Sequence, residues 1–490
     1  MNIKKILLSL LSFASSFIFS SGMGVPVYST DAASTANANG AEAKSPSVIV
    51  GNPAGLIYLD GTQIENNLFI LQPDFSYHDA RGYTFNTHES LRGKTSGNIG
   101  HRLEVPGIFL SHRLKESAVL GVGLYIPFGI DFDYPFDSVT RYNGNRVRIV
   151  SVILNPTLAF KINEKHAIGI GFYTLYSMSK LRQFADLTYG VNAYIDRVIP
   201  FANDQHNGYQ HALPATTFEG YAKLRGDAWN YGFTFGWLWD INNAVRVGLS
   251  YRSKSSVKFK GHVNWNIYGS GWTIPIVGSV LEYMYRKLGY ATDEKVSYTL
   301  NYPDLWQVNG VWQINNKLNL LGNIGYSRDG KQRALQVNWI SPKMAPDARN
   351  YTHPDLIWGN FTKIAINFRN TWRASVGATY QYSDPLQLRF GMMYALSAVR
   401  DPKDRLPITA DEDRIMLGMG ANYRYNQNLT LSLSYNFLKL KPAKVDVGSY
   451  CGGSVEFGLG AVNCVDSRGS TSTTVKSSAH MIGFGLKYKF

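Results

Sequence analysis

The chain has 490 residues and a formal net charge of +14 at neutral pH, and 44% of its residues are hydrophobic while only 17% are charged. Its mean hydropathy of −0.17 is too polar for a bundle of membrane-spanning helices, and its abundant Gly, Tyr and Phe are not typical of a disordered chain. No change in composition divides it into soluble domains of about 100–200 residues, so we treat it as one long unit.

The first residues have the layout of a secretory signal peptide. Lys4 and Lys5 precede an apolar stretch from Ile6 to Phe19, and small residues follow it. That stretch is shorter than the about 20 residues of a spanning helix, which disfavours the alternative of an uncleaved anchor. We therefore predict a signal peptide over residues 1–21 and an exported mature chain.

Residues 22–62 show no strand alternation and are rich in Ala, Ser and Asn. A disordered periplasmic tail is the alternative, but such a tail would not need the apolar stretches "VIV" and "AGLIYL" in this segment. We predict that residues 22–62 form an N-terminal hatch that plugs the lumen of the structure formed by the rest of the chain.

From residue 63 onward, short segments alternate between apolar residues and small or polar ones. In "VRVGLSYR", which starts at Val245, every second side chain is apolar, and "HMIGFGLKYKF" continues this pattern to the terminal Phe490. Tyr and Phe near the ends of such segments are typical of the aromatic girdles of outer-membrane barrels. The segments begin near residues 63, 105, 116, 146, 166, 223, 244, 296, 317, 363, 385, 412, 428 and 478.

This pattern predicts an all-β fold, a transmembrane antiparallel β-barrel of about 14 strands over residues 63–490. Short turns such as 163–165, 241–244 and 425–428 alternate with longer connections, and in outer-membrane barrels the short turns are periplasmic and the long loops extracellular. We expect the final strand to present its apolar face to lipid, with Phe490 closing the barrel.

The third predicted strand contains prolines in the stretch "LGVGLYIPFGIDFDYPF". Pro127 and Pro135 have no backbone N–H to donate, and Gly129 lies between them next to Phe128. We expect this strand to bulge and to leave a gap in the barrel wall. The alternative is a strand that ends at Ile126 and is followed by a proline-rich loop.

One long connection contains a predicted amphipathic helix. Its apolar residues recur at helical spacing, and they are Val277, Val280, Leu281, Met284 and Leu288. They could form one wall of a groove that captures a ligand, or the helix could simply pack against its neighbour.

Basic residues follow one another at alternate positions. Arg252, Lys254, Lys258 and Lys260 would share one face of a regular strand. Such a ladder could draw anions toward the barrel, or it could be a solvated lumen face or a surface that meets lipopolysaccharide phosphates.

The only two cysteines, Cys451 and Cys464, flank a Gly- and Ser-rich stretch. In an exported protein this arrangement predicts a disulfide, with two free thiols as the alternative.

Several segments, in order, resemble one known family. They are "SSGMG" (20–24), "NPA" (Asn52 to Ala54), "GIGFYTLYSMSKLRQFA" (169–185), "RVGLSYRSKSSVKFKG" (246–261), "LNYPDLWQVNG" (300–310) and "DEDRIMLGMGANYRY" (411–425). Together they are similar to the long-chain fatty-acid outer-membrane transporter family, the FadL-like channels, which also includes uptake channels for aromatic hydrocarbons.

The resemblance implies a hatch that gates the barrel, with Asn52, Pro53 and Ala54 at the gate. It also implies a lateral exit into lipid at the kinked third strand, at Pro127, Phe128, Gly129 and Pro135. Basic residues would hold a ligand carboxylate inside, and the positions similar to the family's are occupied by Arg182 and Arg369. Arg182 is shifted by one residue from the family's arginine, where this chain has Gln183, and such a shift turns a side chain to the other face of a strand.

We therefore expect an outer-membrane channel for passive uptake of long-chain fatty acids or similar hydrophobic compounds. Expected partners are hydrophobic small molecules, membrane lipid and lipopolysaccharide; we expect a monomer without cofactor, bound metal or nucleic acid. Alternatives are an aromatic-hydrocarbon channel, a general porin or a structural surface antigen. Catalytic motifs are lacking; His78 and Asp79 could at most belong to a barrel hydrolase.

Overall fold

The computed structural model describes residues 25–84, 89–188, 191–192, 213–346, 356–448, 455–457 and 469–490. The predicted signal peptide and the predicted disulfide between Cys451 and Cys464 lie outside these ranges.

The described part of the chain is dominated by β-strands. They are β1 (Thr62–Tyr83), β2 (Gly97–Asn98), β3 (Leu103–Lys115), β4 (Ala118–Asp133), β5 (Arg146–Lys161), β6 (His166–Asp186), β7 (Glu219–Asp240), β8 (Val245–Arg252), β9 (Ser255–Tyr268), β10 (Glu294–Tyr302), β11 (Leu305–Gln313), β12 (Leu318–Ser327), β13 (Ala334–Pro346), β14 (Leu356–Ala365), β15 (Thr371–Gln381), β16 (Leu386–Ala395), β17 (Arg414–Arg424), β18 (Leu429–Leu440), β19 (Ala443–Val447), β20 (Val455–Phe457) and β21 (Ser470–Lys489).

These strands form a closed antiparallel barrel of 14 wall strands, which confirms the predicted fold class. Several wall strands consist of two consecutive segments, namely β8 with β9, β10 with β11, β12 with β13, β14 with β15, and β18 with β19. The barrel closes where β21 pairs with β1, from Lys489 opposite Gln63 to Ser470 opposite Tyr83. Closure joins the first strand to the last, so neither end of the sheet is left as a free edge facing hydrocarbon.

The two faces of the wall differ as the alternation predicts. Large apolar side chains such as Phe172, which is 68% exposed, and Phe484 point outward. At the C-terminus, the N–H of Phe490 donates to the carbonyl of Thr62 over 2.9 Å, so the last residue continues the ladder with the first strand. The connections 163–165, 241–244 and 425–428 are short turns at the end of the barrel that carries this C-terminus.

Residues 25–60 fill the lumen, as predicted for a hatch. They contain the short helices α1 (Thr30–Ser34) and α2 (Val48–Gly51) and the 3-10 helices Asn39–Ala41 and Pro53–Tyr58, and nearly all of their side chains are buried. Helix α3 (Val277–Lys287) and 3-10 helices at Arg141–Asn143, Ser270–Thr273, Asp329–Lys331 and Pro407–Thr409 lie in or next to the connections at the opposite end. No helix in the described ranges has the length and apolar character needed to cross a bilayer.

Candidate transport path

The hatch is attached to the wall by the asparagine of the "NPA" segment. The side-chain amide of Asn52 donates to the carbonyl of Trp237 over 3.1 Å and to Oδ1 of Asn309 over 3.1 Å. Its own Oδ1 accepts a hydrogen bond from the N–H of Ala54 and caps the 3-10 helix that starts at Pro53. A fully buried amide with these partners fixes the position of the hatch against β7 and β11.

Glycines in the wall make room for the hatch. A Cβ atom at Gly236 would lie 2.2 Å from Oδ1 of Asn52, and one at Gly169 would lie 2.4 Å from the backbone nitrogen of Ala54. A Cβ atom at Gly418 would likewise lie 2.4 Å from the carbonyl oxygen of Ala33. These glycines are therefore lumen-facing positions at which a larger side chain would displace the hatch.

A buried ion cluster joins the hatch to β16. Nη2 of Arg389 donates to Oε2 of Glu42 over 2.6 Å, and its Nε lies 3.8 Å from Oδ1 of Asp31. Asn422 donates to the same Asp31 oxygen over 2.7 Å. Arg389 is fully buried although it belongs to the wall, and it is the buried cation that both carboxylates share; the exposed Lys44 lies farther away, 3.6 Å from Oε1 of Glu42.

We expect this cluster to make the seal sensitive to strong acid. Burial by itself raises the pKa of Asp31, but Arg389, Lys487 and Asn422 outweigh it and lower the pKa to about 2 from an ordinary value of 3.8. The charged form therefore stabilises the docked hatch fully above about pH 4, and this contribution is lost as the pH falls through about 2. Glu42 and Glu65 lie in the same buried region and share the positive charges.

The measurement is the conductance of single channels between pH 7 and pH 2.5. We expect conductance to rise at the acid end in the wild type, and Asp31→Asn to remove the part of this rise that Asp31 causes. An identical pH profile in both proteins would contradict this role of Asp31.

Above the hatch, the inner face of the wall is apolar and aromatic. The rings of Phe128 and Tyr302 stack with centroids 4.2 Å apart, and those of Phe259 and Tyr298 stack at 5.1 Å. These side chains come from β4, β9 and β10 and are buried. The lumen of a general porin is polar and filled with water, so this lining argues against that alternative.

The wall has a gap between β3 and β4. These strands pair only from Lys115 opposite Ala118 to Ile108 opposite Leu124, although β3 continues to Leu103 on β1 and β4 continues to Asp133 on β5. The gap begins after Leu124, next to the point where the pairing of β4 with β5 shifts its register.

A bulge in β4 lies at this point. Tyr125 pairs with Ile153 and Phe128 with Ser151, so two residues, Ile126 and Pro127, stand opposite the single residue Val152. The predicted bulge is confirmed, and the alternative of a strand that ends at Ile126 is wrong. Phe128 and Gly129 continue the strand beside the gap, whereas Pro135 lies beyond its end, in the following turn.

The start of the described hatch lies behind the gap. The N–H of Val25 donates to the carbonyl of Pro127 over 2.9 Å, and a Cβ atom at Gly107 would lie 2.3 Å from the carbonyl oxygen of Tyr28. The Tyr28 ring packs against Phe109 with centroids 6.4 Å apart. Residues 25–28 thus lie on the inner side of the gap, between its two edges.

Two arginines lie on the inner face near this position. The guanidinium of Arg252 lies 4.7 Å above the ring of Phe128, and Nη2 of Arg373 donates to Oε1 of Gln307 over 2.6 Å. The Nε atoms of both arginines are buried and have no hydrogen-bond partner in the described ranges. Arg252 is the strongest charged neighbour of Arg373, and burial raises the pKa of Tyr28 while both arginines oppose that rise.

This pair has no carboxylate partner among the described residues. Both side chains are half-buried, and two like charges held together away from bulk water are unfavourable unless an anion binds to them. Arg373 is not among the site residues predicted from the sequence, although it follows the alternation of β15 on the same face as the small residues Ser375 and Gly377.

The two arginines that the family resemblance indicates lie elsewhere. Arg182 lies on the face of β6 opposite to Ser179, and its Nη2 donates to Oδ1 of Asp133 over 2.9 Å. Arg369 is exposed in the connection between β14 and β15. The structure does not bring these two side chains together, and their role in binding a carboxylate stays a prediction.

The prediction of one basic ladder from Arg252 to Lys260 is wrong. β8 ends at Arg252 and β9 starts at Ser255, and this interruption shifts the alternation by one residue. Arg252 therefore points into the lumen, while Lys258 and Lys260 alternate with the fully buried Phe259 and are exposed on the outer face.

The predicted loop helix is present as α3. Val277 and Val280 are exposed, Leu281 and Met284 are half-buried, and Leu288 follows the end of the helix. Tyr285, on the flank of this apolar side, is buried and packs on Tyr290 and Trp272. The apolar side of α3 is thus largely uncovered, and whether it forms a capture groove stays a prediction.

An extracellular cleft of about 640 Å³ lies next to α3. Trp272 contributes to its lining, and so do Arg92, Asp137, Glu219 and Tyr268. Arg141, also in the lining, forms a buried ion pair with Glu219 at 2.8 Å. No group of three or more His, Cys, Asp or Glu side chains in the described ranges could hold a metal ion.

Comparison with known proteins yields consistent results. Residues 11–490 match the family model described as outer membrane protein transport protein (OMPP1/FadL/TodX). A protein of Neisseria meningitidis serogroup B with a provisional name as an outer membrane protein is 30% identical, over 99% of this chain and 98% of that protein. The long-chain fatty acid transport protein of Escherichia coli K12 is 22% identical, over 84% and 86% of the two chains.

Solved structures share the fold. The crystal structure of a Pseudomonas aeruginosa FadL homologue has a TM-score of 0.77 at 22% identity and covers 96% of this chain and 100% of that chain. The Pseudomonas putida toluene transporter TodX has a TM-score of 0.60 at 14% identity, with 95% and 99% coverage.

Proposed function

The chain belongs to the OMPP1/FadL/TodX family of outer membrane transport proteins, and on this basis we propose that it carries long-chain fatty acids through the outer membrane by passive uptake. The family is one of transport channels, and the protein is located in the outer membrane. What remains to be assigned is the chemical class of the hydrophobic compound and the route that it takes.

The observation that carries this proposal is the pair Arg252 and Arg373. An aromatic hydrocarbon has no charge for these arginines to bind, so in a channel for toluene alone the repulsion between the two half-buried charges would have no matching ligand group. A fatty acid supplies one carboxylate for the guanidinium groups and an alkyl chain for the aromatic lining. Each buried methylene contributes about 0.8 kcal/mol, which favours an apolar lumen over a wide aqueous pore.

The proposed route has three steps. The ligand is captured at the extracellular end, where α3 and the cleft at Trp272 offer apolar surface. It then passes along the aromatic lining to the arginine pair, at the point where residues 25–28 of the hatch lie behind the gap. A movement of the hatch opens the gap at Pro127 and Phe128, and the ligand leaves sideways into lipid, so its alkyl chain need not cross water.

Fatty-acid binding to the purified barrel tests this assignment. We expect saturable binding of a fluorescent long-chain fatty acid that oleate displaces and toluene does not. Arg252→Gln with Arg373→Gln should weaken binding at least tenfold, because each charge-assisted hydrogen bond to a carboxylate contributes about 1.5–3 kcal/mol.

Arg369→Gln is the matched control, since this arginine is exposed in the connection between β14 and β15. Loss of binding in the Arg369 variant alone would instead support the site implied by the family resemblance. If toluene displaced the fluorescent fatty acid and neither arginine change affected binding, the protein would instead be assigned to the aromatic-hydrocarbon channels.

A further inference from the structure

The outer face of the barrel carries a row of basic side chains that the transport path does not use. Cross-strand pairing places Arg148 opposite Lys180, Lys180 opposite Arg225, Arg225 opposite His262, and His262 opposite Lys295. The row therefore crosses five adjacent strands, β5, β6, β7, β9 and β10, without a gap. Neighbouring strands lie about 4.8 Å apart, so the row extends over about 19 Å.

Strand alternation places the row on the outside of the barrel. On β9 the exposed residues Lys260 and His262 alternate with the buried Phe259 and Val263, and on β10 the exposed Lys295 alternates with the buried Val296. Lys180 and Arg225 are exposed as well. Four of the five members are thus open to whatever surrounds the barrel, while Arg148 at the β5 end is half-buried.

The height of the row is that of the outer-leaflet head groups. Trp229 and Tyr231, which are 40% and 63% exposed on the outer face, follow Arg225 on β7 in the direction of the short turns. Exposed Trp and Tyr mark the boundary between hydrocarbon and head groups. The row lies just beyond this boundary, toward the long extracellular connections.

The charges of the row are poorly neutralised within the protein. Lys180, Arg225 and Lys295 take part in no ion pair among the described residues, and the electrostatic neighbours of Lys180 include Arg148 and Arg225. Acidic residues lie at its margins: Asp131 beside Arg148, Asp293 beside His262 at 3.1 Å, and Asp227 beside Lys260. Like charges directly opposite each other destabilise a sheet, and an external anion would offset this repulsion.

We propose that this row binds the phosphorylated sugar head group of lipopolysaccharide in the outer leaflet. A head group with several phosphates can span neighbouring strands, and Arg and Lys are the side chains that bind phosphate. The acyl chains of the same lipid lie against the exposed aromatic and apolar side chains below the row. The site is separate from the lumen and does not depend on which compound the channel transports.

Titration of the purified barrel with bisphosphorylated lipid A, followed by native mass spectrometry, tests the proposal. Lys180→Gln with Arg225→Gln and Lys295→Gln should weaken binding at least tenfold, while uptake and binding of the transported compound stay unchanged. The matched control is Lys439→Gln with Lys476→Gln, two exposed lysines on β18 and β21 that do not pair with each other, and wild-type binding is expected there. Heat-modifiable migration in gels verifies that all variants are folded.

Three results would overturn the proposal. The triple variant could bind lipid A as tightly as the wild type and the control do. Dephosphorylated lipid A could bind as well as the bisphosphorylated form. Inorganic phosphate at the same concentration as the lipid could displace it, in which case the ligand would be a free anion rather than a membrane lipid.

Discussion

Arg389→Gln is expected to convert the sealed barrel into a conducting pore. The change removes the one guanidinium that neutralises Glu42 and Asp31 and leaves two carboxylates buried between the hatch and β16. Removing one partner of a buried ion pair costs about 3–5 kcal/mol, and each 1.4 kcal/mol is about a factor of ten in the equilibrium between docked and released hatch. Planar-bilayer recordings should show steady ion current about 100-fold above that of the wild type.

Two further variants separate this mechanism from general damage. Arg389→Gln combined with Asp31→Asn and Glu42→Gln removes both orphaned charges, and we expect it to restore the seal. Arg424→Gln on the neighbouring strand β17 removes an exposed arginine whose side chain, among the described residues, bonds only to the backbone carbonyl of Asp384, and it should leave the current at the wild-type level. If the Arg389→Gln variant carried no more ion current than the wild type, or the triple variant carried as much as the single variant, the ion cluster would not be what holds the hatch.

Much of the fold could be predicted because the membrane imposes a simple rule on every strand. Apolar residues at alternate positions, such as Ile482, Phe484 and Leu486, must face lipid, so a period of two identifies wall strands without knowledge of their partners. The segments with starts predicted near 146 and 166 begin as β5 at Arg146 and as β6 at His166. The hatch was predicted by the opposite signal, a segment without alternation.

The ligand site was harder to predict because it depends on where the alternation breaks. The residues between β8 and β9 shift the alternation by one, so even-numbered side chains face the lumen in β8 and the outside in β9. Arg252 and Lys258 therefore lie on opposite faces of the wall. Arg373 on β15 and Arg252 on β8 interact across the two intervening strands β11 and β12, and no local feature of the sequence encodes that proximity. Arg182 follows the alternation onto the face opposite Ser179, where it pairs with Asp133, a contact that sequence spacing does not reveal.

Closing the gap between β3 and β4 is expected to abolish uptake without preventing assembly. Deletion of Pro127 removes the one extra residue of the bulge, so that Tyr125, Ile126 and Phe128 would stand opposite Ile153, Val152 and Ser151 in a regular register. Because the bulge adds a single residue, the deletion keeps the inward and outward sides of β4 as they are on both sides of Pro127. A straight β4 can continue the ladder with β3 beyond Leu124, and we expect fatty-acid uptake by cells to fall to the background of a strain without the channel.

The matched comparison uses a second proline and a milder change at the gap. Pro156→Val in β5 alters a strand proline opposite Val122, where β3 and β4 are still paired, and uptake should persist. Pro127→Val with Gly129→Val restores an N–H and β-branched side chains without changing the chain length, and a partial loss is expected. Ligand binding to the arginine pair should survive in all three assembled variants, since the deletion blocks only the exit. If cells with the deletion variant take up fatty acid at the wild-type rate, the ligand leaves by another route, and the gap in the wall serves only to seat residues 25–28 of the hatch.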